Sequence, residues 1–235
     1  SFMKTNKTDK KTKQQEDSSQ IAYQGIRHML YTKELVPGQK IAYRDLAEKL
    51  QLSPTPIIQA LKWLELQGFV THEANRGYYM APFSLEEIEE LYELRELVEP
   101  SLIPATIQRI DKEGLGELKD ALDAHRSAER EFYLKERLFK NREFHMTLAS
   151  LSRKTTQIRL LQNVFDMLFL KYGGNYFPMA SLTSTDQEHQ EVYDAIALRS
   201  MEHAQRVLKN HLTNVKIQVL TSVKKILAEQ EQAPF

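Results

Sequence analysis

Cysteine is absent from the 235 residues, and with it go disulfides, thiolate zinc fingers and thiol catalysis. No apolar run approaches the roughly 20 residues that span a bilayer, and no signal-peptide core stands near the start. A cytoplasmic protein without a membrane partner is the simplest expectation. Excess charge of either sign is lacking too: 32 Lys and Arg balance 32 Asp and Glu. The chain is therefore no polycation, and any affinity for nucleic acid must come from a local arrangement of basic side chains. What is present is 41% hydrophobic residues, enough for real cores, in a length that accommodates two ordinary domains.

The most informative stretch is Lys40 to Ala81. Leu46, Ala47 and Leu50 share one face of a first helix, and Ile57, Ala60, Leu61 and Leu64 repeat at helical spacing on the next. Ser53 stands at the N-cap position, Pro54 at the first helical position, and Pro56 among the early residues whose N–H groups have no intrahelical partner, so neither proline removes a helix bond. Gly68 ends the second helix. Phe69 to His72 and Tyr78 to Ala81 read as short strands around an Asn75-Arg76-Gly77 turn with a basic tip. Two helices, a tight turn and a hairpin predict a winged helix-turn-helix over residues 20–82.

Ahead of it, residues 1–19 are polar and Lys-rich with almost nothing to bury, and a disordered basic tail is expected. After Pro82 the pattern changes to long helices. Ser84 caps a segment whose Ile88, Leu91, Leu94, Leu97 and Val98 form one stripe, and Pro100 and Pro104 are expected to bend or interrupt it. Further helices are predicted at about 115–130, 133–151, 155–172 and 184–228, the last divided near Arg199-Ser200, with Gly173 to Pro178 as a loop. The fold expected is mainly α, a winged helix-turn-helix followed over residues 83–230 by an antiparallel bundle of about six helices.

Three histidines in the bundle stand out. His189 and His211 are each eleven positions from Ser200, so a chain folding back there as an αα-hairpin sets them at one height on adjacent helices. Asn141 precedes His145 by one turn and shares its face. Three imidazoles and an amide oxygen in a bundle fit a divalent transition metal, zinc, nickel or manganese. A helical histidine is more often a surface or satisfied core residue, and both readings stay open on spacing alone.

At this point the chain resembles the GntR superfamily of bacterial transcription regulators, in the branch with a FadR-like C-terminal FCD effector domain. The family pattern is carried by Leu46-Ala47, Ser53, Thr55-Pro56, Ala60-Leu61, Leu64 and Gly68, by Arg76-Gly77 in the wing, and by Arg95, Glu99, Phe144-His145, Glu188-His189 and His211-Leu212 in the bundle. The resemblance implies a homodimer that binds double-stranded operator DNA and responds to a small metabolite, often a carboxylate. It also implies a divalent metal on His145, His189 and His211, with Asn141 where the family has Asp. An amide oxygen is a neutral and weaker ligand than a carboxylate.

Where the family's recognition helix carries two Arg, this chain has Pro54 and Ile58, which removes the side chains that read guanine. The expected DNA-binding residues are Arg44, Ser53, Thr55, Ile58, Gln59, Lys62, Arg76 and Gly77. Ile58 is set toward a thymine methyl and Gln59 toward an adenine edge, while Arg44, Lys62 and Arg76 meet phosphates; burial in the core is the competing role for Ile58. Arg95 is the candidate effector-binding residue, its competing role being a salt bridge with Glu99. Tyr172, Tyr176 and Tyr193 are candidates for lining the pocket. The expected function is a ligand-responsive regulator, a repressor, and not an enzyme. The alternatives are a metal-free regulator taking an acyl thioester and, from another class, a helical metalloenzyme with an accessory DNA-binding domain, for which no general base is apparent.

Overall fold

The computed structural model describes residues 5–128, 134–173 and 182–232 and divides into two compact units, residues 1–83 and 84–235. In the first, α1 (Thr5–Tyr31) precedes β1 (Lys40–Ile41), α2 (Tyr43–Lys49), α3 (Pro54–Leu66), β2 (Val70–Glu73) and β3 (Gly77–Met80). The apolar stripe of α3, Ile57, Ala60, Leu61 and Leu64, is buried, and α1 packs on α3. Ala22, Ile26, Met29 and Leu30 form the buried stripe of α1. Tyr23 meets the Trp63 ring edge-on at 6.1 Å and donates to Gln67 Oε1 at 2.9 Å.

The strands form one antiparallel sheet in the order β1-β3-β2, with Thr71 opposite Tyr79 and Lys40 opposite the same Tyr79. The hairpin between β2 and β3 turns through Asn75 and Gly77, both at positive φ, the region that Gly enters freely and Asn more readily than most residues. The two-residue strand β1 was not anticipated, because so short a segment has no readable alternation. The stretch expected as a disordered tail is continued helix from Thr5. It contains no Gly or Pro before Gly25, and its Lys, Gln and Glu lose little freedom in a helix. Ser53 occupies the N-cap with extended backbone but makes no side-chain cap bond.

The second unit holds α4 (Leu85–Arg109), α5 (Lys112–Ala128), α6 (Leu134–Leu151), α7 (Thr155–Asp166), a π-helical turn (Met167–Lys171), α8 (Leu182–Ala197) and α9 (Met201–Gln232). Ser84 Oγ accepts the Glu87 N–H at 3.1 Å and caps α4. Of the bend or interruption expected at the prolines, the interruption does not occur: α4 runs through both Pro100 and Pro104. The Pro100 carbonyl, left without an i+4 donor by Pro104, accepts Gln205 Nε2 from α9 at 3.1 Å instead. At the far end of α4, Arg199 Nη1 and Nη2 donate to the Ile107 and Ile110 carbonyls at 2.7 and 3.0 Å, so the turn residue of the α8/α9 hairpin also caps α4.

The predicted single helix over 155–172 is α7 followed by the π-helical turn, whose end is pinned to α4: Lys171 Nζ donates to Glu87 Oε2 at 2.5 Å, and the Tyr172 hydroxyl donates to the same oxygen. The main core lies among Ile103, Leu118, Phe144, Leu148, Ile196 and Leu208. Among the described residues no strand follows β3, and no helix is long and apolar enough to cross a membrane.

Candidate functional site

Helices α6, α8 and α9 bring His145, His189 and His211 together with all three imidazoles buried. Their Nε2 atoms form a nearly equilateral triangle: 3.2 Å from His145 to His189, 3.1 Å from His189 to His211, and 3.2 Å from His211 to His145. Nitrogens about 2.0–2.1 Å from one ion stand about 3.0 Å apart on an octahedral face and about 3.4 Å apart in a tetrahedron. The observed edges fall between these.

The other ring nitrogens decide which way the lone pairs point. His145 Nδ1 lies 2.7 Å from Glu99 Oε2, and His211 Nδ1 lies 2.8 Å from Glu188 Oε2. Burial would raise the Glu99 pKa, but Arg95 and His145 outweigh it and hold the carboxyl at about 2; Glu188 is likewise lowered, the bonds from His211 and Asn214 overcoming its desolvation. Both carboxylates are acceptors, so each Nδ1 carries a proton, and an imidazole that is neutral in this setting turns its Nε2 lone pair to the triangle's centre. Two such lone pairs 3.2 Å apart repel unless a cation lies between them. Carboxylates behind ligating imidazoles are the usual support of a metal site, and the donor set fits a divalent transition metal.

Burial lowers the His145 pKa to about 4 despite the opposing pull of Glu99. Burial, then His211 and His145, holds His189 well below the ordinary imidazole range. Neutral imidazoles are the form that ligates. A fourth histidine stands behind them: the His125 ring is 4.7 Å from that of His189, and its Nδ1 is 3.0 Å from Asp186 Oδ1. Its pKa is lowered to about 3, chiefly by burial and then by Arg137.

Arg95 makes the salt bridge weighed for it and also lines a cavity. Its Nε donates to Glu99 Oε1 at 2.7 Å within a fully buried pair, and it lines a cavity of about 30 Å³ together with Tyr92, Asn141, Arg142, Phe165 and Phe169. Its guanidinium carbon lies 4.4 Å from the centre of the Phe165 ring, and its second terminal nitrogen, Nη2, is buried without a hydrogen-bond partner among the described residues. A buried donor left unsatisfied is costly, and a carboxylate oxygen in the cavity would satisfy it. Asn141 lines this cavity, half-buried, one turn before His145.

Among the tyrosines, Tyr172 binds Glu87 and does not line the cavity, Tyr193 packs against the main core, and Tyr176 lies outside the described residues. Tyr92, one turn before Glu96 on α4, is the tyrosine that lines it. The supporting roles of Glu99 and Glu188 escaped sequence reading, because their partners His145 and His211 lie 46 and 23 positions away.

In the first unit, Ser53, Thr55, Gln59 and Lys62 are exposed along α3 with Arg44 exposed on α2, whereas Ile58 is half-buried beside the fully buried Ile57. Burial in the core is thus served by Ile57, leaving part of Ile58 at the surface. Arg76 at the wing tip pairs with Glu73 at 2.8 Å, and Gly77 follows it at φ 99°.

Residues 18–80 match the family described as bacterial regulatory proteins, gntR family, and residues 90–214 match the FCD domain. The chain belongs to the GntR family of bacterial transcription regulators, with an FCD domain. The regulator LutR of Bacillus subtilis is 26% identical over 209 residues, covering 80% of this chain and 94% of that one. The Nta operon transcriptional regulator of Aminobacter aminovorans is 24% identical over 193 residues, covering 82% and 90%. Among solved structures, Escherichia coli McbR/YncC superposes with a TM-score of 0.73 at 17% identity, covering 87% of this chain and 97% of that one. A GntR regulator from Rhodococcus sp. RHA1 superposes with a TM-score of 0.73 at 23% identity, covering 88% and 99%. The fold shared with these structures is a winged helix-turn-helix plus a helical C-terminal domain. This GntR-family chain is thus a regulator and not an enzyme.

Proposed function

We propose that this GntR-family protein is a homodimeric repressor that releases or holds operator DNA according to the concentration of a small carboxylate, sensed in the FCD domain with the help of a divalent zinc, nickel or manganese ion. The observation that carries the reading is the convergence of three buried Nε2 atoms within 3.2 Å of one another, two of them oriented by carboxylates. His145, His189 and His211 would hold the ion, with Asn141 at its edge. A bound ion of this kind offers an open coordination position to a carboxylate oxygen. Arg95 Nη2 would take the second oxygen, while Phe165 and Phe169 keep water from the pair. The 30 Å³ cavity favours a small acid over an acyl thioester.

On DNA, Ile58 meets a thymine methyl and Gln59 an adenine edge, with Thr55 and Ser53 beside them, while Arg44, Lys62 and the Arg76-Gly77 wing tip hold phosphates. Ligand acts by shifting a conformational equilibrium of the dimer, carried through Ala81-Pro82-Phe83. Mass spectrometry of the purified native protein beside His145→Ala tests the metal. One ion per chain, lost in the variant, is the expected result; no ion even after reconstitution would remove the metal from the mechanism.

A further inference from the structure

Leu168 and Phe169 of the π-helical turn Met167–Lys171 form one wall of the cavity that Arg95 lines. Before the turn the chain is fixed to the other walls: the centre of the Phe165 ring lies 4.4 Å from the Arg95 guanidinium carbon, and Arg142 reaches Asp166 at 3.1 Å. After the turn it is fixed to the start of α4. Buried Lys171 donates to Glu87 Oε2 at 2.5 Å, and the Tyr172 hydroxyl donates to the same oxygen. A π-helical turn holds one residue more than the α-helical turn it replaces. Rewinding it as α-helix turns everything beyond it by about 100° about the helix axis, which carries Lys171 and Tyr172 away from Glu87. Gly173 belongs to the π-wound form, since a Cβ there would stand 2.2 Å from the Phe169 carbonyl oxygen.

Glu87 has a second place to go. It stands three residues after Ser84, the N-cap of α4, whose Oγ accepts the Glu87 N–H at 3.1 Å. That is half of a capping box; in the complete box the acidic side chain reaches back to the N-cap's own backbone N–H. Here Lys171 and Tyr172 hold that carboxylate instead. Ser84 follows directly on Ala81-Pro82-Phe83, so closing the box orders the point at which that segment enters α4.

We infer that the π-helical turn and the Ser84–Glu87 box form a two-state latch between the cavity and the start of α4. With the turn π-wound, Lys171 and Tyr172 hold Glu87 and the box is open. With the turn α-wound, the carboxylate is released and the box closes. A ligand pressing on Leu168 and Phe169 favours rewinding, so both ends bias one bistable element.

The latch rests on the cavity as the effector's place and not on the metal, so loss of the metal reading leaves it standing, and its test needs neither ligand. Full-length variants are compared by amide exchange across Ser84, read by mass spectrometry, and by affinity for a duplex that the native protein selects from a random pool. Lys171→Met and Gly173→Ala should each slow exchange across Ser84 and shift duplex affinity in one common direction, both by at least about fivefold. Glu87→Gln should match them, because Gln completes a capping box as Glu does. Adding Glu87→Ala to Lys171→Met should abolish the slowing. Leu168→Phe, which fills part of the cavity, should move both readouts the same way. Lys216→Met, which breaks the 2.8 Å pair with Glu96 farther along α4, should move neither.

Unchanged or faster exchange across Ser84 in Lys171→Met and Glu87→Gln would overturn the latch and leave the ion pair as a plain anchor of α4. Slower exchange with unchanged duplex affinity would overturn its link to DNA binding. No response to Leu168→Phe would overturn its link to the cavity. The Lys171→Met and Glu87→Gln arms are decisive even where Gly173→Ala fails to fold.

Discussion

Glu99 joins Arg95 to His145. One of its oxygens accepts Arg95 Nε at 2.7 Å and the other accepts His145 Nδ1 at 2.7 Å, all within a fully buried environment. A side chain from the cavity wall is thereby tied through one carboxylate to an imidazole of the triad, and that carboxylate's orientation sets the tautomer of His145.

Replacing Glu99 with Ala should be severe in two separable ways. Arg95 would be left buried without its partner, a loss of about 3–5 kcal/mol, read as a drop in the urea midpoint. Glu99→Gln keeps the shape but removes the charge that fixes His145, and should weaken zinc by about 10- to 100-fold when zinc is titrated into the metal-free protein in competition with a chromophoric chelator. An unchanged zinc affinity in Glu99→Gln would show that the carboxylate does not support the ligand.

Acid should destabilise the metal-free protein in two stages. His145 titrates at about 4 when folded against 6.5 as its ordinary value, so between these values the unfolded chain binds the extra proton and stability falls as pH falls. His189 and His125 act in the same direction. Glu99, at about 2 when folded against 4.5, contributes stability above pH 4.5 that is lost on acidification toward pH 2. Urea midpoints measured in chelator should decline from about pH 6.5 downward and fall further below pH 4.5; a flat profile between pH 7 and 5 would contradict the buried neutral histidines.

The passage of α4 through two prolines should depend on α9. Gln205→Ala leaves the Pro100 carbonyl without its donor and should cost about 1 kcal/mol. Pro104→Ala restores a backbone N–H to that carbonyl, so in a double-mutant cycle the cost of Gln205→Ala should largely disappear. Additive effects would mean that the Gln205 bond does not substitute for the missing helix bond.

On DNA, Lys62→Ala and Arg44→Ala should each weaken binding uniformly across sequences and lower the salt slope by about one. Ile58→Ala and Gln59→Ala should instead relax preference at individual base pairs by about 1–3 kcal/mol. Selection from a random duplex pool checks both. A native half-site built on invariant guanines would remove Ile58 and Gln59 as readers.

Much of the fold is legible locally. The Ile57, Ala60, Leu61 and Leu64 stripe, the Ser84 cap and the Gly68 stop act within a few residues, and they specify helix and hairpin before any tertiary contact forms. The two eleven-residue arms from Ser200 place His189 and His211 at one level because a helix has a fixed rise and Arg199 allows the sharp turn, with φ at 54°. The amino-acid order alone therefore sets the helical architecture and names the three imidazoles.

It does not set the rest. The direction of Arg95, the carboxylates behind His145 and His211, the uninterrupted α4 and the π-helical turn after α7 depend on partners brought from 23 to 105 positions away. Nothing in the local pattern distinguishes an exposed Glu from a buried one that fixes a tautomer. Only the packed bundle removes water from these groups, and removal of water makes one uncancelled charge or one misdirected lone pair decisive.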